Sequence, residues 1–176
     1  MEFKRLEIPD VILIEPPSFE DDRGFFYESY NKKEFDKIVG EEINFVQDNF
    51  SCSSSGVLRG IHYQENPFSQ GKLVRVSKGK VFDVAIDLRE ESPFYLSWVS
   101  AELSDENKRQ LWIPEGFGHA FLTLSDEAHF NYKTTNFYNP SFEKTIIWND
   151  SKIGIRWPEV ENLNISEKDL KGEHLV

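Results

Sequence analysis

Three segments of the chain combine histidine, tyrosine, lysine and arginine with glycine in a way that a purely structural strand does not need. The first reads Gly56-Val57-Leu58-Arg59-Gly60-Ile61-His62-Tyr63-Gln64 and resumes at Gln70-Gly71-Lys72-Leu73-Val74-Arg75. The second is Pro114-Glu115-Gly116-Phe117-Gly118-His119-Ala120-Phe121, and the third is Phe130-Asn131-Tyr132-Lys133-Thr134. An imidazole exchanges protons near neutral pH, a phenol holds its proton there yet can yield it to a strong base, and an ammonium can stabilise a developing oxyanion. Such a set suits general acid–base chemistry. Each residue alone also has an ordinary role. A lone histidine in a strand is more often hydrogen-bonded scaffold, Tyr132 alternates with Phe130 and Thr134 like a packing residue, and Lys72 can be solvated beside a turn. Asp169 can be the acidic end of a Ser-x-x-Asp capping box with Ser166. Their joint occurrence in one small chain is what tips the balance toward chemistry.

Strands must position most of these residues, because strand signals dominate from residue 43 to residue 148. Leu73-Val74-Arg75-Val76 and the run from Val81 to Leu88 flank Ser77-Lys78-Gly79-Lys80, which predicts a hairpin. In the second run Phe82, Val84, Ile86 and Leu88 share one face, while Val81, Asp83, Ala85 and Asp87 share the other. The first face should be packed and the second should meet solvent or a cavity. Regular alternation would put Arg59, Ile61 and Tyr63 on one side of their strand and Leu58, Gly60, His62 and Gln64 on the other. Further strands are predicted at 43–47, 96–103, 111–113, 119–124, 129–135 and 144–148. Asn31 precedes a helical run from Lys32 to Val39, with Glu34 set for a capping box and Gly40 as a stop. Ser166-Glu167-Lys168-Asp169 reads as a short helical start. Many short strands with few helices predict an all-β sandwich or barrel, and the jelly roll is one such architecture.

The 176 residues suit one domain spanning 1–176, without repeat or linker. Hydrophobic content of 39% with 29% charged residues belongs to an ordinary soluble globule. Fifteen Phe, six Tyr and four Trp favour strands and stacking pockets. A formal charge of −11 argues against a protein that coats nucleic acid, yet a few cations can still converge on one small anion. Cys52 is the single cysteine, so no internal disulfide forms, which points to a reducing cytoplasm. The start, Met-Glu-Phe-Lys-Arg-Leu-Glu, lacks the apolar core of a signal peptide, and Val11 to Ile14 is too short to cross a bilayer. A cytoplasmic protein without membrane or nucleic-acid partners is expected.

Pro114-x-Gly116-x-x-His119 resembles the second signature of cupins, and Gly60-x-His62 lies where the first would fall. A metal-binding cupin usually offers a His-x-His pair; here Gln64 stands two after His62, which breaks the pair and implies a metal-free cupin. Within that group the match is specific. Asp22-Arg23-Gly24-Phe25-Phe26-Tyr27-Glu28-Ser29-Tyr30-Asn31, Phe45-Val46-Gln47-Asp48-Asn49, the segments around His62 and Lys72, Ile113-Pro114-Glu115-Gly116-Phe117 and Tyr132-Lys133 resemble the dTDP-4-dehydrorhamnose 3,5-epimerase family. The resemblance runs from about Arg23 to Trp157, with Lys168-Asp169 matching near the end. Thr134 replaces the cysteine usual in the third segment, a change that removes no catalytic group.

The resemblance implies a cupin-type jelly roll (double-stranded β-helix) with a few short helices, and a substrate that is a dTDP-linked 4-keto-6-deoxy sugar. It implies His62 as base, Tyr132 as acid on the opposite face, Lys72 at the enolate oxygen and Asp169 as the partner of His62, with Asp83 as a second choice for that partner. His119 would contact the sugar. Arg23, Arg59 and Lys168 would meet the nucleotide or its diphosphate, Glu28, Gln47, Asn49 and Glu143 would supply polar contacts, and Tyr138 would stack on thymine. No cofactor or metal is implied. The family exchanges its N-terminal segment between subunits, so a homodimer is expected in which Arg23 and Glu28 serve the neighbour's pocket. Rival expectations are a C3-only epimerase or ketoisomerase, a metal-dependent cupin, and a non-catalytic sugar-nucleotide binder.

Overall fold

A computed structural model describes residues 1–175. In chain order the strands are β1 (Glu2–Arg5), β2 (Ile12–Glu15), β3 (Ser18–Asp21), β4 (Gly24–Tyr27), β5 (Gln47–Ser54), β6 (Val57–Gln64) and β7 (Lys72–Lys78). They continue as β8 (Lys80–Asp87), β9 (Trp98–Ser104), β10 (Gln110–Ile113), β11 (Phe117–Thr123), β12 (Glu127–Thr134), β13 (Glu143–Thr145) and β14 (Asn164–Ile165). The helices are α1 (Lys32–Val39) and α2 (Glu167–Leu170). Two antiparallel sheets face each other, with orders β1-β2-β10-β7-β12-β5 and β13-β6-β11-β8-β9; β3 and β4 form a separate hairpin. This is the expected jelly-roll sandwich.

Inward side chains of both sheets close the main core. Val74, Val76, Leu111 and Phe130 come from one sheet, and Val81, Ala85, Val99, Leu103 and Phe121 from the other. A second cluster pins α1 to the outer face of the first sheet, where Phe35 and Ile38 meet Ile12, Ile14, Leu73 and Trp112. Phe35 is 2% exposed, so its burial contributes roughly 2–3 kcal/mol to holding that helix down. The ends of α1 lie where expected: the Asn31 side chain accepts from the Glu34 N–H and Gly40 takes a left-handed φ of 97°, but among the described residues the Glu34 side chain makes no return bond to Asn31, so the capping box is only half formed.

The predicted hairpin at Ser77-Lys78-Gly79-Lys80 does not form. β7 and β8 belong to opposite sheets, and the chain crosses from one to the other at Gly79. Gly79 has φ 77°, and a Cβ there would lie 2.0 Å from the Glu127 carbonyl oxygen, so the crossing depends on glycine. The Lys-Gly pair marks a sharp corner, while pairing is settled by which faces are apolar. Both faces of β8 are covered, although the face of Val81 and Ala85 was expected to meet solvent or a cavity: Val81 and Ala85 point into the core between the sheets, and Val84 and Ile86 pack under Ile146 and Ile153 of the C-terminal segment. The strand predicted at 43–47 is also displaced, since pairing with β12 begins only at Gln47.

Candidate active site

The catalytic candidates converge through strand pairing on both sheets. In β7 and β12 the inward rungs are Lys72 with Thr134, Val74 with Tyr132 and Val76 with Phe130. Lys72 and Tyr132 therefore stand on one face of one sheet, one rung apart. In the facing sheet His62 of β6 pairs with His119 of β11. Antiparallel partners share a face, so both imidazoles point the same way. His62, Lys72, His119 and Tyr132 line a single cavity of about 270 Å³ between the sheets, together with Asn49, Arg59, Tyr138 and Glu143.

Arg59 reaches this cavity because β6 is not regular. His119 pairs with His62, yet Phe121 pairs with Arg59, so β6 carries two residues, Gly60 and Ile61, opposite the single Ala120. This bulge turns Arg59 to the same side as His62, where strict alternation would have set them apart. Gly60 is required there: its φ is 118°, and a Cβ would sit 2.5 Å from the Ala120 Cβ and 2.6 Å from the His119 carbonyl oxygen. The Arg59 Nε donates to Ser53 Oγ at 3.0 Å, which steadies the guanidinium against β5.

Each histidine has its own carboxylate. His62 Nε2 lies 2.6 Å from Asp169 Oδ1, and Asp169 Oδ2 accepts from the Gly60 N–H at 3.4 Å. Burial opposes the charge on Asp169, but the hydrogen bond and charge of His62 together with the Gly60 and Ser166 hydrogen bonds outweigh it and hold the carboxyl below its ordinary value. An ionised Asp169 can only accept, so Nε2 of His62 is the donor to it, and in the neutral form of the ring the lone pair falls on Nδ1. Ser166 does cap α2, accepting from the Asp169 N–H at 3.1 Å. The Asp169 side chain, in contrast, faces the imidazole rather than closing a capping box. Asp83, the second choice for this place, lies instead 2.9 Å from His119 Nε2. Burial lowers the His119 pKa, against the pull of Asp83, and keeps that ring neutral.

Burial shifts Tyr132 and Lys72 as well. Burial raises the Tyr132 phenol above its ordinary value, offset in part by the Arg59 guanidinium. Burial brings the Lys72 ammonium down to about 8, against the attraction of Asp83 and Glu143. Phe121 and Phe130, stacked with centroids 4.3 Å apart, supply an apolar floor beneath these groups.

A family model described as dTDP-4-dehydrorhamnose 3,5-epimerase matches residues 5–176. The chain belongs to that family. A dTDP-4-dehydrorhamnose 3,5-epimerase of Shigella flexneri is 56% identical over 172 residues, covering 98% of this chain and 94% of the relative. A dTDP-6-deoxy-D-glucose-3,5-epimerase of Legionella pneumophila, solved with dTDP-4-keto-L-rhamnose, superposes with a TM-score of 0.96 at 47% identity, covering 98% of this chain and 92% of that one. A 3′-monoepimerase of Streptomyces bikiniensis, solved with dTDP-quinovose, is more distant at 31% identity and a TM-score of 0.90, covering 96% and 85%.

At the mouth of this epimerase-family pocket, Tyr138 Oη donates to Glu143 Oε2 at 2.8 Å and Lys168 Nζ lies 2.6 Å from the same oxygen. Burial works to raise the Glu143 pKa, but Lys168 and Tyr138 outweigh it and keep the carboxylate ionised. Gln47 joins them, its Oε1 accepting from the Tyr138 N–H at 3.0 Å. Asn49 lines the cavity, and its buried Nδ2 has no hydrogen-bond partner among the described residues. Two expected binding residues are not brought in. Arg23 is almost fully exposed at the turn of the β3–β4 hairpin, ion-paired with Asp21, and the exposed Glu28 follows β4. Neither lines the cavity of its own chain. The Gln64 amide is turned to backbone groups at the mouth, a role that no local signal in the sequence announces. The mixed donors Cys52, Glu127 and His129 lie within 4.8 Å of one another, but they too are outside the cavity, with Lys78 already 2.9 Å from Glu127.

Proposed function

We propose that residues 1–176 act as one cupin-like epimerase domain that inverts C3 and C5 of dTDP-4-dehydro-6-deoxy-D-glucose, giving dTDP-4-dehydro-L-rhamnose in dTDP-rhamnose biosynthesis. The observation that carries this reading is the opposition of His62 and Tyr132 on facing sheets of one cavity, with Lys72 beside Tyr132. Nδ1 of His62 takes the C3 proton, the C–H electrons form the C3=C4 bond, and the C4 carbonyl becomes an enolate oxygen stabilised by the Lys72 ammonium. The enolate then collapses as Tyr132 delivers a proton to C3 from the opposite face, which inverts the centre. Exchange with water returns the proton to Tyr132 and removes the one on His62, and the same steps act at C5. Asp169 orients His62 and stabilises the imidazolium; His119, neutral and held by Asp83, contacts the sugar.

The cavity, about 270 Å³ and open at its mouth, lies just under the usual size of small-ligand pockets, so it takes the sugar ring while the nucleotide lies across the mouth. There Tyr138 stacks on the base, and Arg59, Lys168, Gln47, Asn49 and Glu143 meet the nucleotide and diphosphate. The exposed aromatic hairpin, with Phe19 64%, Phe25 59% and Phe26 69% accessible, supports a homodimer in which this hairpin covers the partner's mouth and supplies Arg23 and Glu28. The protein works in the cytoplasm, needs no cofactor or metal, and binds neither membrane nor nucleic acid; no helix is long and apolar enough to cross a membrane among the described residues.

Incubation with dTDP-4-dehydro-6-deoxy-D-glucose in deuterated water, with a reductase to trap the rhamnose precursor, tests the assignment. Deuterium at both C3 and C5 is expected. Label at C3 alone would make this a monoepimerase, and binding without exchange would make it a non-catalytic binder.

A further inference from the structure

Gln64, at the end of β6, is 6% exposed and directs its whole side-chain amide at backbone groups. Its Nε2 donates to the Phe68 carbonyl oxygen at 2.6 Å and to that of Phe137 at 3.2 Å. Its Oε1 accepts from the Asn139 N–H at 2.7 Å. Phe68 lies in the connection from β6 to β7, whereas Phe137 and Asn139 lie in the connection from β12 to β13. One planar amide therefore joins two mouth loops that start from different sheets. A neutral imidazole at this position has a single N–H and could not serve two carbonyls and one N–H together.

Between Phe137 and Asn139 stands Tyr138, whose ring hydroxyl reaches Glu143. Glu143 is the cross-strand partner of Gln64. Other ties link the same two connections: Gln70 Nε2 donates to the Asn136 carbonyl at 2.8 Å, the Gly71 N–H donates to Thr135 Oγ1 at 2.8 Å, the Glu65 N–H donates to the Phe142 carbonyl at 3.0 Å, Asn136 Nδ2 donates to the Pro67 carbonyl at 3.2 Å, and the Phe68 and Phe142 rings pack with centroids 4.7 Å apart. Gln64 is the tie that holds the backbone on both sides of Tyr138, through the Phe137 carbonyl and the Asn139 N–H.

We propose that Gln64 is a positioning residue for the nucleotide end of the site, presetting Tyr138 and Glu143 so that a nucleoside diphosphate meets an ordered mouth. The inference rests on the nucleotide-sugar reading of the pocket. Loops held before binding do not have to be ordered by the ligand, so the clamp acts on affinity rather than on proton transfer.

Gln64→Glu keeps the size and the acceptor for Asn139 but turns a carboxylate toward two carbonyls; Gln64→Met removes all three hydrogen bonds. Calorimetric titration with dTDP should show Kd rising about tenfold in either folded variant, with KM rising in parallel, kcat within about threefold and its pH profile unmoved. Unchanged dTDP affinity in the folded Gln64→Glu chain overturns the proposal, and so does a fall in kcat at constant KM. In the wild-type chain the Asn139 amide should be among the slowly exchanging protons of the mouth; rapid exchange contradicts the clamp whatever the variants do. Failure of the wild-type chain to bind dTDP overturns the nucleotide-sugar reading itself, whereas equal binding by wild type and variant overturns the role of Gln64 alone.

Discussion

Nε2 of His62 lies 2.6 Å from Oδ1 of Asp169, although the two residues are 107 positions apart in the chain. The second oxygen of the same carboxylate receives the Gly60 N–H. Asp169 thus holds both the proposed base and the bulge that turns Arg59 into the cavity. A four-residue helix near the C-terminus, capped by Ser166, fixes the tautomer of an imidazole on a central strand.

Asp169→Asn should lower the initial rate of deuterium incorporation by about 10²–10⁴-fold, because the amide no longer favours the proton on Nε2 or stabilises the imidazolium. Its effect on stability has a definite sign. The folded-state pKa of Asp169 is depressed, so the stabilisation is fully present above the ordinary carboxylate range near pH 4 and is lost as pH falls through the lower folded value. Thermal melts of wild type and Asp169→Asn should therefore converge in acid, and a gap that stays constant down to pH 2 would remove the ionic part of this interaction.

Lys72 offers a test in which activity and stability move in opposite directions. Its pKa of about 8 lies below the ordinary 10.5, so carrying the charge in the fold costs on the order of 3 kcal/mol at neutral pH. That cost is present below pH 8 and is relieved as pH climbs toward 10.5, where the unfolded lysine also loses its proton. Lys72→Met should cut turnover about 10²–10³-fold while raising Tm at pH 7, with the gain shrinking by pH 10. The wild-type rate should fall on the alkaline side near pH 8. An unaltered rate in the variant would take Lys72 out of the reaction.

Tyr132→Phe separates proton removal from inversion. The base on the facing strand is intact, so exchange of the C3 hydrogen with solvent should persist, with the proton returning from the face it left. Net formation of the L-configured product should drop by about 10²–10⁴-fold. Nuclear magnetic resonance of the sugar in deuterated water reads both quantities at once. Equal loss of exchange and inversion would mean that Tyr132 is not the opposed acid.

The position of Arg23 on an exposed hairpin, outside its own cavity, leads to a complementation experiment. An Arg23→Ala chain keeps His62, and a His62→Ala chain keeps Arg23. If the hairpin serves the neighbour, mixing the two yields heterodimers with one pocket that has both groups. Activity of the unfolded and co-refolded mixture should then exceed the sum of the two variants. No gain would confine Arg23 to its own subunit.

Much of the fold was legible along the chain, and for local reasons. Alternation in 81–88 and the short apolar runs at 111–113 and 119–124 located β8, β10 and β11, and Asn31 and Gly40 bounded α1, because strand runs, cap and left-handed glycine depend on neighbouring residues only. The residue types at 62, 72, 119 and 132 already implied acid–base chemistry. Other features were decided only in three dimensions. A Lys-Gly corner looks the same whether the next strand folds back or crosses to the other sheet, and here the apolar faces sent β8 across. The bulge at Gly60 depends on Ala120 of another strand. Which of two carboxylates serves His62 could not be read from alternation: Asp83 stands on the inward face of β8, yet α2 delivers Asp169 to His62 and leaves the buried Asp83 to His119. Gln64 gave no local sign of its role, since its partners lie on two loops, one of them more than seventy residues away. Side-chain type is set by the sequence at each position, whereas partnership depends on how distant segments pack, and the chemistry of this pocket depends on both.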